Sequence, residues 1–124
     1  MGGGSSQNIR QSRIIQLSML TVIETPLFQG LWPDYWDEDE RGEFATWLAQ
    51  SPDAGDVVPG SGGVRKVRWS RKGVGKRSGV RVVYFNRLAN GEIHLLLIYA
   101  KTVRDNVPAN VLKQLKQEIE NADD

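Results

Sequence analysis

Residues 80–100 read VRVVYFNRLANGEIHLLLIYA, a strand, a turn and a second strand in one stretch. Residues 80–88 are almost continuously apolar, as expected of a central strand covered on both faces. Arg81 is the exception, and a charge in such a strand needs a reason. Asn90-Gly91 is a hairpin turn by its chemistry, since both residues tolerate positive φ. Residues 92–100 then return as the next strand, with Ile93, Leu95, Leu97 and Tyr99 predicted on one face and His94, Leu96 and Ile98 on the other. His94, close to the start of that strand, reads as a structural residue.

Upstream, the side chains from Val64 alternate in the same way. Val64, Lys66, Arg68 and Ser70 share one face; Arg65, Val67, Trp69 and Arg71 share the other, with Val67 and Trp69 directed at the core. Within residues 60–84 stand Arg65, Lys66, Arg68, Arg71, Lys72, Lys76, Arg77 and Arg81, and no Asp or Glu falls between Val57 and Gly91. The whole chain carries a formal net charge of only +1, so the positive charge is segregated. A patch of this kind concentrates a polyanion and releases its counterions on binding, which points to a nucleic-acid phosphate backbone. The plainer alternative is a solvated basic hairpin. Gly75-Lys76 invites a P-loop reading, but Arg77 stands where Ser or Thr is required and Ser70 where the first glycine belongs. Residues 60–65 likewise miss the last glycine of a dinucleotide-binding turn.

Working outward to the N-terminal side, residues 20–25 form a short β-branched strand suited to pairing with a sheet made later in the chain. Thr25 is positioned to cap a helix beginning at Pro26, with Leu27, Phe28, Leu31 and Trp32 at helical spacing until Pro33. A second helix is predicted over 37–50. Its acidic first turn complements the helix dipole, and Phe44, Trp47 and Leu48 supply its apolar stripe. Those carboxylates read as a solvated helix face rather than a metal site. Residues 51–63, rich in Pro and Gly, read as a loop. Beyond Lys101, residues 102–108 lead into a helix over 109–122 with Val111, Leu112, Leu115 and Ile119 on its apolar side. The expected class is α+β: a small antiparallel sheet with an N-terminal helix pair and a C-terminal helix. Residues 1–18 read as a flexible leader or tag, and residues 19–124 as one domain.

Composition narrows the chemistry. With no cysteine there is no disulfide framework or thiolate nucleophile, and a reducing cytoplasm is the expected setting. The longest apolar run is far too short to span a bilayer, so a soluble protein without a membrane partner is expected. One histidine leaves no room for a His-rich metal cluster. Catalysis, where present, falls to Lys, Arg, Tyr or carboxylates, and no cofactor is implied.

The order strand, two helices, three antiparallel strands and helix resembles the RelE/HigB family of bacterial type II toxins, in particular its HigB branch. The residues carrying the likeness are Gly55-Asp56-Val57-Val58, Gly60-Ser61-Gly62-Gly63-Val64-Arg65-Lys66-Val67-Arg68, Lys72-Gly73, Gly75-Lys76-Arg77-Ser78-Gly79, Arg81, Tyr84 and Ile98-Tyr99-Ala100-Lys101. The resemblance implies a RelE-like fold and a metal-independent endoribonuclease that cuts mRNA in the ribosomal A site. It also implies inhibition by a cognate antitoxin, often one with a helix-turn-helix DNA-binding domain. Carried over position by position, it makes Lys66, Arg68, Arg81 and Lys101 the candidate catalytic residues. Lys66 is the candidate proton acceptor, because a lysine beside other cations gives up its proton more readily, and Arg81 the phosphate clamp. Arg65, Arg71, Lys72, Lys76, Arg77 and Arg104 are the expected RNA-binding cations. The family's RelE pattern has an arginine just beyond the fourth strand and a tyrosine near the last helix; here Thr102 follows Lys101 and Val107-Pro108 occupies the later region. Lys101, Tyr99 and Arg104 are therefore all open as proton donor. Two rival readings keep the basic face without the cleavage chemistry: a non-catalytic RNA- or ribosome-binding module, and an inactive toxin-like protein acting with its antitoxin in transcriptional repression.

Overall fold

The computed structural model describes residues 20–70, 79–101 and 106–122. The expected leader, residues 1–18, lies outside the described residues. The described chain is α+β. In order, its elements are β1 (Thr21–Glu24), α1 (Pro26–Leu31), a 3-10 turn (Trp32–Asp34), α2 (Glu38–Gln50), β2 (Asp56–Val57), β3 (Arg65–Trp69), β4 (Val80–Arg87), a second 3-10 turn (Leu88–Asn90), β5 (Glu92–Ala100) and α3 (Ala109–Ala122). No described helix is long and apolar enough to cross a membrane.

The helix starts follow from their capping residues. Thr25 Oγ1 accepts from Phe28 N at 3.3 Å while donating to Leu95 O at 2.8 Å, so one hydroxyl both starts α1 behind Pro26 and ties it to β5. Asp37 caps α2 by accepting from Glu40 N at 2.8 Å, and Glu38, Asp39 and Glu40 fill the first turn.

The five strands lie in the order β1-β5-β4-β3-β2. β2 to β5 pair antiparallel, but β1 runs parallel to β5, with Thr21 beside Glu92 and Glu24 beside Leu95. The sheet is thus mixed rather than antiparallel. Its far edge is β2, a two-residue strand inside the stretch that composition marks as loop. β4 is buried on both faces, as its apolar run predicts. On one face Val67, Val80, Val82, Tyr84, Ile93, Leu95 and Ile98 pack with Phe28, Trp36, Phe44 and Leu48. On the other, Val64, Val83, Phe85, Leu96 and Tyr99 pack with Leu112 of α3.

β5 departs from simple alternation. Tyr84 lies opposite Leu95 and Val83 opposite Leu97, which leaves Leu96 as an extra residue in a β-bulge. Because side chains alternate with period two, one added residue exchanges the faces beyond it. Leu97 and Tyr99 therefore join His94 and Leu96 on the α3 face, and Ile98 joins Ile93 and Leu95 on the other, correcting the uniform alternation expected for this strand.

Candidate nucleic-acid interface

β3 supplies the first cations. Its alternation sends Val67 inward at 8% exposure and packs Trp69 edge-on against Phe44, with ring centroids 5.3 Å apart. Trp69 Nε1 also donates to Glu40 at 3.3 Å. With these side chains anchored on the α2 side, Lys66 and Arg68 must emerge on the α3 side.

The strand register then aligns the rest. Arg68 lies directly opposite Arg81, and Arg81 directly opposite Tyr99, so these residues form a row across β3, β4 and β5. Directly opposed residues in adjacent strands have Cβ atoms roughly 5 Å apart, within reach of one phosphate group. Lys66 stands one step along β3, opposite Val83. The bulge in β5 is what turns Tyr99 onto this face. Arg68 is exposed, Arg81 and Lys66 are half-buried, and Tyr99 is buried to 7%.

The charges in the row are uncompensated among the described residues: no acid forms an ion pair with Lys66, Arg68 or Arg81. Like charges directly opposed across strands are destabilising. Lys66 Nζ does have one polar partner, donating to Asn106 Oδ1 at 2.9 Å.

Arg65 is placed differently. It points to the opposite side, where its Nη1 donates to Gly55 O at 2.7 Å and its Nη2 lies 3.4 Å from the Asp53 carboxylate. Its observed partners make it a tether for the loop before β2, and it does not join the row. The same loop is fastened from below by Tyr84, whose hydroxyl accepts from Gly55 N and donates to Pro52 O, both at 2.8 Å. Burial raises the Tyr84 phenol above its ordinary value and keeps it a neutral donor. Gly55 is required there by close approach: an added Cβ would stand 2.9 Å from Tyr84 Cε1 and 3.0 Å from Lys66 O. The following turn closes on buried Ser61, which accepts from Val64 N and donates to Val58 O, and Gly60, Gly62 and Gly63 take positive φ around it.

No protein-family model matches this chain. The functional reading therefore stands on the residues themselves. Of the proposed catalytic set, Lys66, Arg68 and Arg81 come together, and Lys101 is exposed one residue past the end of β5. Of the two proton-donor candidates among the described residues, Tyr99 is in register with Arg81 and Lys101 lies beyond the paired strand. Arg71, Lys72, Lys76, Arg77 and Arg104 lie outside the described residues. His94, which the sequence reads as structural, is 4% exposed, stacks on Phe85 at 4.9 Å and meets Glu92 through Nε2 at 3.1 Å. Sequence reasoning missed Asn106, because its link to Lys66 spans 40 residues.

Proposed function

We propose that this chain is a RelE/HigB-like toxin of a type II toxin-antitoxin system, a metal-independent endoribonuclease that cuts mRNA on the ribosome. The observation carrying the reading is the row of Arg68, Arg81 and Tyr99 with Lys66 beside it, cations left without acidic partners among the described residues. Supporting it are the α+β arrangement and the placement of the row on the sheet's middle strands.

RNA brings its own nucleophile. The 2′-oxygen attacks the adjacent phosphorus as a base takes its proton, and the bond from phosphorus to the 5′-oxygen breaks as an acid protonates the leaving oxygen. A 2′,3′-cyclic phosphate and a 5′-hydroxyl result. The protein must orient the phosphate, stabilise the added negative charge and handle two protons. Arg81, half-buried in the middle of the row, is the clamp on the phosphate oxygens; its planar fork of donors suits that task better than an ammonium. Arg68 adds a second guanidinium, Lys66 is the proton acceptor, and Tyr99, in register with the clamp on the neighbouring strand, is the proton donor. In the cell the chain would be restrained by a cognate antitoxin protein and would act in the cytoplasm.

Expression of the protein in bacteria should arrest growth, and Arg81→Glu should abolish the arrest with the fold retained. Single-turnover cleavage of mRNA on programmed ribosomes, beside a binding titration at the same salt, tests the roles. Lys66→Ala should slow cleavage by roughly 10² to 10⁴-fold, the usual scale for general acid–base catalysis, with ribosome binding near wild type. Arg68→Ala should weaken binding and cleavage together. Small, equal losses for Lys66→Ala in both assays would remove the proton-acceptor role. Absence of cleavage by the wild-type protein would leave the non-catalytic RNA-binding module.

A further inference from the structure

Asn106 is a polar side chain that reaches the sheet's basic face from outside the sheet, at Lys66. It stands three residues before Ala109, the first residue of α3, and the residues that follow it are held in place. Val107 packs into the cluster formed by Val83, Leu96, Tyr99 and Leu112, and Pro108 O accepts from Val111 N at 3.0 Å and Leu112 N at 3.2 Å to start the helix. α3 is itself fastened across the sheet, since Leu112 is buried and Lys116 Nζ donates to Gly62 O at 2.8 Å. The position of Asn106 is thus set by packing, although its own side chain is exposed.

A carboxamide has two ends. Oδ1 accepts from Lys66 Nζ at 2.9 Å, which fixes Nδ2 as the other end, and Nδ2 has no protein partner among the described residues. Two N–H donors consequently remain at the rim of a face that already carries Lys66, Arg68 and Arg81. We propose that Asn106 is a positioning residue for a phosphodiester ligand: Oδ1 holds the Lys66 nitrogen in place, and Nδ2 donates to a non-bridging oxygen of the bound phosphate. The inference rests on the phosphate-binding reading of this face. It adds a specific consequence for Lys66. A neutral amine with one hydrogen held by Asn106 has its lone pair directed away from that bond, so the hydrogen bond orients the proton acceptor. Asn106 also supplies a neutral donor among cations, and such a donor is insensitive to salt where theirs is not.

Two substitutions separate the two ends. Asn106→Asp keeps an oxygen for Lys66 and replaces the donor with negative charge; Asn106→Ala removes both ends. The probe for binding is a single-stranded oligonucleotide with 2′-deoxy sugars throughout, which the face can bind but not cleave, titrated against the full chain. Asn106→Ala should weaken binding by about 2- to 10-fold, the worth of one neutral hydrogen bond, with the slope of log affinity against log salt unchanged. Asn106→Asp should weaken it further than Asn106→Ala does, and Arg68→Ala should reduce the salt slope by about one. In cleavage assays Asn106→Ala should lose more in kcat than in affinity. The Asn106 side-chain amide resonance in a 15N spectrum should shift when the wild-type protein binds the probe, a readout independent of any variant. Equal binding by Asn106→Asp and wild type, or an unmoved amide resonance at saturation, overturns the proposal. A wild-type protein that binds the probe with the expected variant order but never cuts mRNA sustains the Asn106 assignment and rejects the enzyme reading. Cleavage that is indifferent to both substitutions rejects Asn106 alone, and no binding of the probe by the wild-type chain rejects the proposal.

Discussion

Arg41 and Arg81 are both arginines set against the sheet, and their surroundings are opposite. Arg41, on α2, donates to the two oxygens of Glu24 at 2.6 and 2.7 Å, reaches Glu38 at 3.1 Å and lies 4.5 Å over the Trp32 ring. The hydrogen-bonded Glu24 carboxylate raises its pKa further above an already high ordinary value. Arg65, on the loop side of β3, is similarly supplied with Gly55 O and Asp53. Arg81 instead faces Arg68 across the ladder, with no acid paired to either among the described residues. Where an arginine has its partners within the fold, it serves the fold. Where the fold opposes cation to cation, an anion is the kind of partner that would satisfy both.

The contrast can be broken most sharply at Arg41. Arg41→Ala leaves Glu24 partly buried without its charged donor and should lower stability by about 1–3 kcal/mol, measured by urea unfolding. Little loss there would put Arg41 in the same class as the row. Gly55→Ala tests the loop that Arg65 and Tyr84 hold. The added methyl meets the Lys66 carbonyl, which cannot rotate away, so a loss of about 1–3 kcal/mol is expected, and wild-type stability would show that the loop is loosely held. Tyr84→Phe removes the hydroxyl that joins Gly55 N to Pro52 O and should lose about 1–2 kcal/mol at pH 7. Its pH dependence follows from the raised phenol. The unfolded chain ionises near the ordinary value of 10.0 and the folded chain only above it, so Tyr84 favours folding fully below about pH 10 and that contribution falls as pH rises. Unfolding measured between pH 9 and 11 should show a flatter profile for Tyr84→Phe. The smallest effect belongs to the row. Arg68→Ala relieves a like-charge pair and should leave stability unchanged or raise it by no more than about 1 kcal/mol, while nucleic-acid affinity falls. A clear loss of stability would mean that Arg68 is held by the fold as Arg41 is.

Local signals account for what the sequence reveals about this fold. Thr25-Pro26 and Asp37 mark helix starts by their own chemistry, and the alternation of β3 separates Lys66 and Arg68 from Val67 and Trp69 without knowledge of any partner strand. Features that depend on distant partners stay hidden. Residues 95–98 are all apolar, so nothing in Leu95-Leu96-Leu97-Ile98 shows where alternation skips; only the register against β4 does. Arg65 reads as one more cation in a basic run until Gly55 and Asp53 are placed beside it. β2 becomes a strand only because Asp56 and Val57 meet Lys66 and Arg65. Tyr84 and Asn106 act across 29 and 40 residues, beyond any pattern visible in a window of sequence.

The extra residue in β5 gives that strand latitude in its length as well as in its composition. Any of the four apolar residues at 95–98 could be exchanged for another with modest repacking. Removing one of them would restore strict alternation and leave Tyr99 on the α3 side opposite Arg81, because the bulge takes up the residue that is lost. For a lineage of such proteins, this segment can change in composition, or lose one codon at the bulge, with the row still assembled.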